Sequence, residues 1–399
     1  LPIFVYGKSK SNSNLTTDHY YRIYKVGNRR PVGNYTSEFF TLHFCSEELL
    51  LSTQQTQISK SYKEGRQIAT PKDAPGTDTG IINDILENNL DVSPYKIDII
   101  EETYGTYNFV IPNLKPLEAI SWLSTYARPM NNKIGADMLF FQTSKGFNFR
   151  SLQSLYKEDA YAVYKYQPKN VGPLGETVSM YDGLTSVLDF EYVKTFDTLN
   201  ETNKGTYANR LITIDPFTKK YKVTDFSYED YANQAESMNK NPVIGAGQNK
   251  LGVKQTKAYD SKLKVFISNR NQSQIDYFKD KPGSVAKDIY AETFIPYRTA
   301  QIALANYTVL KLLIPGDSSI TAGRTIIFNL YSLATDENEN RQFDKYFSGK
   351  YLVTAVRHLV QSSGSYQTIL EVAKESVAMP ISAPNSTSEI QQRVVNEAY

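Results

Sequence analysis

Two strand-like runs between Phe347 and Glu375 limit what this chain can fold into. The stretch reads FSGKYLVTAVRHLVQSSGSYQTILEVAKE, and a short polar turn separates its two runs. Runs rich in Val, Ile, Leu, Thr and Tyr around a Gly-containing turn are typical of a β-hairpin. Such a hairpin either closes a β-barrel or carries His358, beside Arg357, at the edge of an active site.

A second strand pattern lies near the start of the chain, between His19 and Leu51. Phe40, Leu42 and Phe44 alternate there with more polar residues. Period-two alternation predicts a half-buried antiparallel strand, with these three side chains pointing into one β core. The chain opens directly in another strand-like run, LPIFVYG, so we expect that a natural N-terminus is missing.

Helical spacing replaces the strand pattern in the middle of the chain. GIINDILENNL and NLKPLEAISWLSTYARP carry apolar residues at helical intervals, and Pro116 suits a first helical turn. Leu117, Ile120 and Leu123 form one face of the second helix. We expect this face to pack on the next predicted element, the hairpin MLFFQTSKGFNFRSL.

These patterns predict a mainly β fold with α+β parts, in which two similar β regions suggest a duplicated barrel. The predicted segments are a first β-barrel at 1–65, incomplete at its N-terminus, a helix and hairpin domain at 66–184, a second β-barrel built from 185–228 and 307–375, a polar insertion at 229–306 that ends in a helix, and a C-terminal tail at 376–399.

The amino-acid composition limits the kinds of molecule that this chain is expected to bind. The chain has 44 basic and 42 acidic residues, a net charge of +2, which gives no electrostatic reason to expect specific nucleic-acid binding or an anionic membrane partner. No apolar stretch approaches the length of a membrane span, and no signal peptide is expected. Thirty tyrosines against one tryptophan favour strands and polar contact surfaces, because tyrosine has a large apolar face and a polar tip.

The histidines and the single cysteine give no complete catalytic or metal site. His43 and Cys45 would share one face of a strand, but a tetrahedral metal site needs further ligands that are not nearby. His358 lacks an adjacent nucleophile motif of the G-x-S-x-G kind. Adjacent Glu101 and Glu102 would point to opposite faces of a strand, which suits no acid–base pair.

Three further sequence stretches do not match the ligand-binding motifs that they partly resemble. TDENENRQFD, at 335–344, lacks the order and the glycine of a calcium-binding loop. VIGAGQNKLG, at 243–252, is no complete dinucleotide fingerprint. DAYAVYKYQPK, at 159–169, could stack on bases, but a tyrosine-rich strand or interface fits the balanced charge better. We therefore predict no catalytic, cofactor-binding or metal-binding residues, no cofactor and no enzymatic activity.

The order of several motifs resembles the baseplate hub proteins of contractile-tailed phages. LLIPGDSSITAGRTIIFNLYS, followed by SGKYLVTAVRHLVQSSGSYQTILEVAKES, is similar to the closing strands of that family. Several earlier stretches of the chain also occur in the order found in that family. They are EFFTLHFCSEELLLSTQQTQISKSYK, the two helical stretches, MLFFQTSKGFNFRSL and FIPYRTAQIALANY. The resemblance spans most of the chain and is weakest over 229–287.

The resemblance implies a mechanical role. Each chain would supply two tail-tube-like barrels, and a homotrimer would present six of them as a ring that joins the sixfold tail tube to the threefold central spike. The implied partners are the chain itself, the central spike protein and a tail tube or tube-initiator protein, with tape measure and baseplate wedge proteins as further candidates. The implied location is the virion tail, after assembly in the host cytoplasm.

Two other classes of function remain open from the sequence. A tail-associated cell-wall hydrolase would need paired carboxylates in a cleft. A host-binding adhesin would also be rich in tyrosine and strands, although two amphipathic helices among the strands fit it less well.

Overall fold

The computed structural model describes part of the 399-residue chain. The described residues are 2–5, 19–33, 37–54, 58–71, 79–131, 135, 137–166, 183–216, 218–228, 231, 234–239, 241–242, 264–269, 294–335, 341–344 and 346–377. They form a mainly β structure with a few helices, which confirms the predicted β-rich α+β class. No helix among them is long and apolar enough to span a bilayer.

The chain divides into two compact units. The first comprises Leu1–Met130, Leu139–Phe149 and Gly283–Lys287, and the second comprises Asn131–Met138, Arg150–Pro282 and Asp288–Tyr399.

The first unit contains three small sheets and several short helices. Its sheets are β1–β2–β3, β4–β6 and β5–β8–β7. The elements in chain order are β1 (Pro2–Val5), β2 (His19–Val32), β3 (Ser37–Ser46), α1 (Glu47–Gln54), β4 (Ile58–Arg66), α2 (Ile81–Asp84) with a π-helical turn (Ile85–Asn89), a 3-10 turn (Pro94–Lys96), β5 (Ile97–Ile100), β6 (Tyr107–Leu114), α3 (Pro116–Ser124), β7 (Met138–Thr143) and β8 (Gly146–Ser151).

Helix α3 buries the face that the sequence predicts. Pro116 opens the helix, where a missing amide hydrogen costs nothing, and the Glu118 side chain caps the Lys115 amide. Ile120 and Leu123 are fully buried, whereas Leu117 is only half-buried. The helix packs on β6 and on the π-helical turn, so its main neighbours differ from the expected hairpin.

A polar cluster around the buried Asp84 side chain connects α2 to β4. The Asp84 Oδ2 atom accepts hydrogen bonds from Lys60 Nζ at 2.6 Å and Tyr62 Oη at 2.5 Å, and Asn88 donates to Oδ1 at 2.8 Å. Burial alone would raise the pKa of Asp84, but these donors outweigh it and hold the pKa below its ordinary value. The Asp84 carboxylate therefore stays ionised and accepts the hydrogen bonds of these three donors.

The second unit is built around a curled sheet. Its elements in chain order are α4 (Leu152–Tyr156), β9 (Ala160–Tyr166), β10 (Asp189–Lys194), α5 (Thr198–Asn203), β11 (Ala208–Ile214), β12 (Tyr221–Ser227), β13 (Asn241–Pro242), β14 (Lys264–Asn269), α6 (Ile295–Ala305), β15 (Thr308–Pro315), β16 (Thr325–Thr335), β17 (Arg341–Phe343), β18 (Gly349–Val360), β19 (Tyr366–Lys374) and β20 (Ser376–Val377).

Six strands form what we call the barrel sheet, in the order β10, β15, β19, β18, β16 and β9. All neighbours are antiparallel except β9, which runs parallel to β16. The sheet is curled, and its two edges come together where Lys165 of β9 bridges Ser186, just before β10. The Lys165 amide donates to Thr185 O at 3.1 Å, and the Val187 amide donates to Lys165 O at 2.9 Å.

The concave side of the barrel sheet holds a continuous apolar core. In β15, Leu310, Leu312 and Ile314 are fully buried at alternate positions, which is the strand period. They pack with Phe328 of β16, Tyr351 of β18 and further buried residues from the strands around them. Fully burying one such aliphatic side chain contributes about 1.5–3 kcal/mol, so this core stabilises the curl.

A second cluster in this unit is rich in tyrosine. Tyr207, Tyr228, Tyr231 and Tyr307 pack with Leu304 of α6. Beside it, β11 pairs antiparallel with β12 and parallel with β14 in a separate three-stranded sheet.

The structure corrects several predicted boundaries. The predicted helix and hairpin domain extends to 184, yet β9 at Ala160–Tyr166 belongs to the barrel sheet. The predicted second barrel includes all of 185–228, yet β11 and β12 lie in the sheet with β14, a strand of the predicted insertion. In the predicted tail, β20 pairs with β13 of the insertion. Strand pairing between distant segments is invisible to local patterns, which explains these errors.

Candidate functional site

His358, the first candidate in the sequence, lies in β18 opposite Thr368 of β19. Its Nδ1 atom is 3.1 Å from Tyr366 Oη and 3.3 Å from Thr368 Oγ1. Burial lowers the pKa of His358, and the negative charge of Asp317 opposes that shift. The imidazole is therefore predominantly neutral at pH 7 and contacts two hydroxyl groups.

The neighbours of His358 fasten the ends of strands to one another. The Asp317 amide donates to Thr368 Oγ1 at 3.1 Å, and the Asp317 carboxylate accepts from Tyr161 of β9 at 2.9 Å. The Tyr366 ring lies against Gly316, where an added Cβ atom would be only 2.1 Å from the ring. This explains the glycine after Pro315 and favours a structural role for His358.

His43 and Cys45 lie on β3, opposite Lys25 and Arg22 of β2 respectively. The His43 ring is 6.0 Å from the Tyr24 ring. Within the described residues, no group of three or more His, Cys, Asp and Glu side chains is arranged to hold a metal ion.

The remaining candidates are separated from one another. Glu102 Oε1 accepts a hydrogen bond from Gln67 at 3.2 Å, while the Glu101 backbone donates to Phe149 O. The aromatic run at 159–169 contributes β9 to the barrel sheet, and its last three residues lie outside the described residues. The glycine motif at 243–252 and the central part of 335–344 also lie outside them. Arg357 pairs with Ile369 in the β18–β19 ladder.

The most distinctive surface of the first unit is an exposed apolar face on β2 and β3. Strand register places Ile23 opposite Phe44 and Val26 opposite Leu42, and Phe40 shares their side of β3. We call these five residues the hairpin stripe. Val26, Phe40 and Phe44 are 58%, 50% and 45% exposed, and the other two are half-buried.

The predicted alternation of the hairpin stripe is therefore right, but its predicted burial is wrong. Phe40, Leu42 and Phe44 share one face, yet no described element covers that face as a core would. The backbone ladder between β2 and β3 sets the register of the hairpin, and two ion pairs lie beside it. Arg29 donates to both carboxylate oxygens of Glu38, at 2.9 and 3.2 Å, and Arg22 pairs with Glu47 at 2.5 Å.

An apolar stripe that no described residue covers is typical of an interaction surface. Single exposed apolar residues are common on soluble proteins, whereas a contiguous group on a regular strand pair indicates a partner that removes it from water. The alternation of apolar residues in the sequence predicts that these side chains share one face. It does not predict whether that face packs against the same chain or against another one.

Comparison with known proteins finds similarity to solved structures but to no protein family. No protein-family model matches the chain, and no curated protein matches it. Among solved structures, the chain is similar to the tail protein from Neisseria meningitidis MC58, at 8% sequence identity and a TM-score of 0.44. That likeness covers 90% of this chain and 80% of that chain. A likeness of this size does not establish a common fold.

Proposed function

We propose that this chain is a structural component of a phage tail, specifically a baseplate hub that assembles as a homotrimer. In this role it joins the sixfold tail tube to the threefold central spike, acts within the virion tail and performs no catalysis. Its partners are further copies of itself, the spike protein and a tail tube or tube-initiator protein. Tape measure and baseplate wedge proteins are secondary candidates.

The observation that carries the proposal is the hairpin stripe, which is exposed among the described residues. A strand pair of 14 and 10 residues presents Val26, Phe40 and Phe44 to solvent at about half exposure. Association with another chain would remove this apolar area from water, which is the main favourable contribution to most protein association. A protein that works inside a multi-chain assembly needs such a surface.

Two further observations support the same role. The motif order in the sequence resembles the hub family from the first strands to the closing hairpin. The barrel sheet of the second unit, with its two ends joined at Lys165 and Ser186, also suits one of the two tube-like barrels that such a hub would contain.

The test is the mass and symmetry of the assembly. We expect the chain, co-expressed with its spike protein, to purify with three copies per spike trimer, and a reconstruction to contain two barrels per chain. The chain alone can be monomeric, because the spike can hold the trimer together. Six copies around the axis, or one barrel per chain, would contradict the proposal.

An activity assay separates the hub from the hydrolase alternative. We expect no clearing of peptidoglycan in a zymogram of the purified chain, with a known muramidase as the positive control. Clearing that survives repurification would overturn the purely structural role. Saturable binding of the isolated chain to host cells would favour an adhesin instead.

A further inference from the structure

The turn between β11 and β12 concentrates positive charge at one point of the second unit. Lys219, Lys220 and Lys222 occupy three of four consecutive positions, and no Asp or Glu lies between Asp215 and Asp225. All three lysines are exposed. Four basic and two acidic residues between 208 and 227 give this short hairpin a net charge of +2, which equals that of the whole chain. A local concentration of positive charge attracts anionic ligands even when the overall charge is nearly balanced.

Hydrogen bonds fix the backbone of this turn. The buried Asp215 closes it, because its amide donates to Lys220 O at 2.9 Å and its carboxylate accepts from the Thr218 amide at 3.3 Å and the Thr218 hydroxyl at 2.8 Å. Lys219 has a φ of 56°, in the left-handed region that favours glycine. A lysine where glycine fits with less strain indicates a role for its ammonium group.

An exposed aromatic side chain lies directly beside the lysines. Tyr221 begins β12 and is 74% exposed. The strand register places Tyr221 opposite Ile214 of β11, and it places Val223 opposite Ile212. These four side chains therefore share one face of the strand pair, which we call the tyrosine face. Ile214 and Val223 are 40% and 43% exposed, so the Tyr221 ring is accessible on an apolar strand surface next to the basic turn.

The other charges on the tyrosine face neutralise each other. Arg210 donates to both carboxylate oxygens of Asp225, from Nε at 2.7 Å and from Nη2 at 3.0 Å, at the end of the face away from the turn. Among the described residues, β12 pairs with β11 alone, so it is an edge strand and the face is open along that side. A ligand on this face therefore meets an aromatic ring and positive charge together.

We propose that this hairpin binds single-stranded nucleic acid without sequence preference, with Lys219 and Lys220 on the phosphates and Tyr221 stacked on a base. Proteins that bind single strands in this way combine basic surfaces with exposed aromatic side chains, and every base offers a face for stacking. An acidic peptide would engage the lysines but not the ring. An anionic membrane would need a larger apolar area than three partly exposed side chains. This inference does not depend on the role in a phage tail.

The test compares two oligomers that differ only in their bases. One is an oligothymidylate of about twelve nucleotides, within the site sizes of single-strand-binding folds, and the other is an abasic oligomer of the same length. Each carries a fluorescent label and is titrated with the full chain at several salt concentrations, and fluorescence anisotropy measures binding. We expect saturable binding of the oligothymidylate, at least about tenfold tighter than that of the abasic oligomer, because only the former stacks on Tyr221.

Lys219→Gly combined with Lys220→Gln tests the phosphate contacts, and glycine suits the backbone at the first position. This variant should bind both oligomers more weakly. Its slope of log K against log salt should fall in magnitude by about 1.4, because each phosphate contact on a single strand contributes about 0.7. Lys145→Gln combined with Lys311→Gln removes two charges elsewhere, from the β7–β8 turn and from β15, and should change neither quantity.

Tyr221→Ser separates stacking from charge. It should weaken binding of the oligothymidylate about tenfold and leave binding of the abasic oligomer unchanged, so that the two bind equally. Tyr95→Ser is the matched control, because Tyr95 is 91% exposed and lies in the first unit. All substituted side chains are at least partly exposed, and circular dichroism with thermal unfolding checks that each variant folds.

Several results would overturn the proposal. The first is the absence of saturable oligothymidylate binding by the unaltered chain, and the second is equal affinity of that chain for the two oligomers. The third is unchanged oligothymidylate affinity in the folded turn variant or in the folded Tyr221→Ser variant. Tighter binding of polyglutamate, or of vesicles containing phosphatidylserine, than of the oligothymidylate would assign the hairpin to an acidic protein or to a membrane instead.

Discussion

At the scale of single residues, Lys374 is the most unusual group in the described part of the chain. It is 1% exposed at the end of β19, and burial lowers its pKa from an ordinary 10.5 to about 7, although Asp344 and Glu375 oppose the shift. Its ammonium group is held by two carbonyl oxygens and by the face of Tyr351. A lysine in this position makes folding depend on pH.

The sign of that dependence follows from proton counting. Between pH 7 and 10.5 the unfolded chain binds a proton at Lys374 that the folded chain has released. Stability therefore rises with pH across this window, by at most about 1.4 kcal/mol per pH unit. Below pH 7 both states are protonated and this contribution levels off.

We predict that Lys374→Met removes this rise. The measurement is the free energy of unfolding in urea at several pH values from 6 to 10, taken as the difference between the unaltered chain and the variant. Lys311→Met removes a half-exposed ammonium group from the neighbouring strand and controls for the loss of one charge. A difference curve that stays flat from pH 7 to 10 would contradict the prediction.

At the scale of elements, α3 gives a direct test of packing. Ile120 is fully buried between β6 and the π-helical turn. We expect Ile120→Ala to lower the free energy of unfolding by about 2–5 kcal/mol, because it removes buried methyl groups and leaves a cavity.

Val110→Ala is the control for Ile120→Ala. Val110 lies on β6 in the same unit but is 70% exposed, so its change should stay within about 0.5 kcal/mol. Urea unfolding measures both variants. Equal losses for the two would mean that the α3 face is not packed as described.

The junction of the barrel sheet is the second test at this scale. Val187→Pro removes the amide that donates to Lys165 O, and Val187→Ala removes only the buried side chain. We expect the proline variant to be less stable than the alanine variant by about 1–3 kcal/mol, since a carbonyl loses its donor. Hydrogen exchange of the amides in β9 should also become faster. Equal stability of the two variants would show that the junction does not hold the sheet.

Sequence patterns predict the positions of the strands and helices better than they predict which strands pair with each other. The strands β15, β16, β18 and β19 lie where alternating or continuous apolar runs place them, because that period follows from local backbone geometry. The pairing of β9 with β16, and of β11 with β14, depends on contacts between distant segments, and no local pattern encodes it. The same limit applies to the hairpin stripe, because its exposure depends on which segments pack against it.

At the scale of the whole molecule, substitutions in the hairpin stripe should impair assembly with partners without destabilising the isolated chain. We predict that Phe40→Ser combined with Phe44→Ser changes the free energy of unfolding of the isolated chain by only about 0.5 kcal/mol per site, because both side chains are about half exposed. The same variant should lose association with its partners in co-purification. The sequence alone predicts severe destabilisation, since its alternation places both rings in a core.

Val110→Ser is the matched control for assembly, because it alters an exposed apolar strand residue of the same unit outside the stripe. It should assemble normally. If the variant with both serines is strongly destabilised as an isolated chain, the two phenylalanines are buried in a core after all. If that variant still associates with its partners, the hairpin stripe is not part of the interface.

The parallel pairing of β9 has a consequence for synthesis on the ribosome. The Thr325 hydroxyl donates to Glu158 O across 167 residues of sequence, so β9 leaves the exit tunnel long before the strand beside it exists. At about 5–20 residues per second, that delay is on the order of 10–30 s. During it, an emerged strand with open hydrogen-bonding edges can pair with the wrong nascent chain. Codon choice and chaperone binding between these two segments therefore become determinants of yield, and slowing translation there should increase the aggregated fraction.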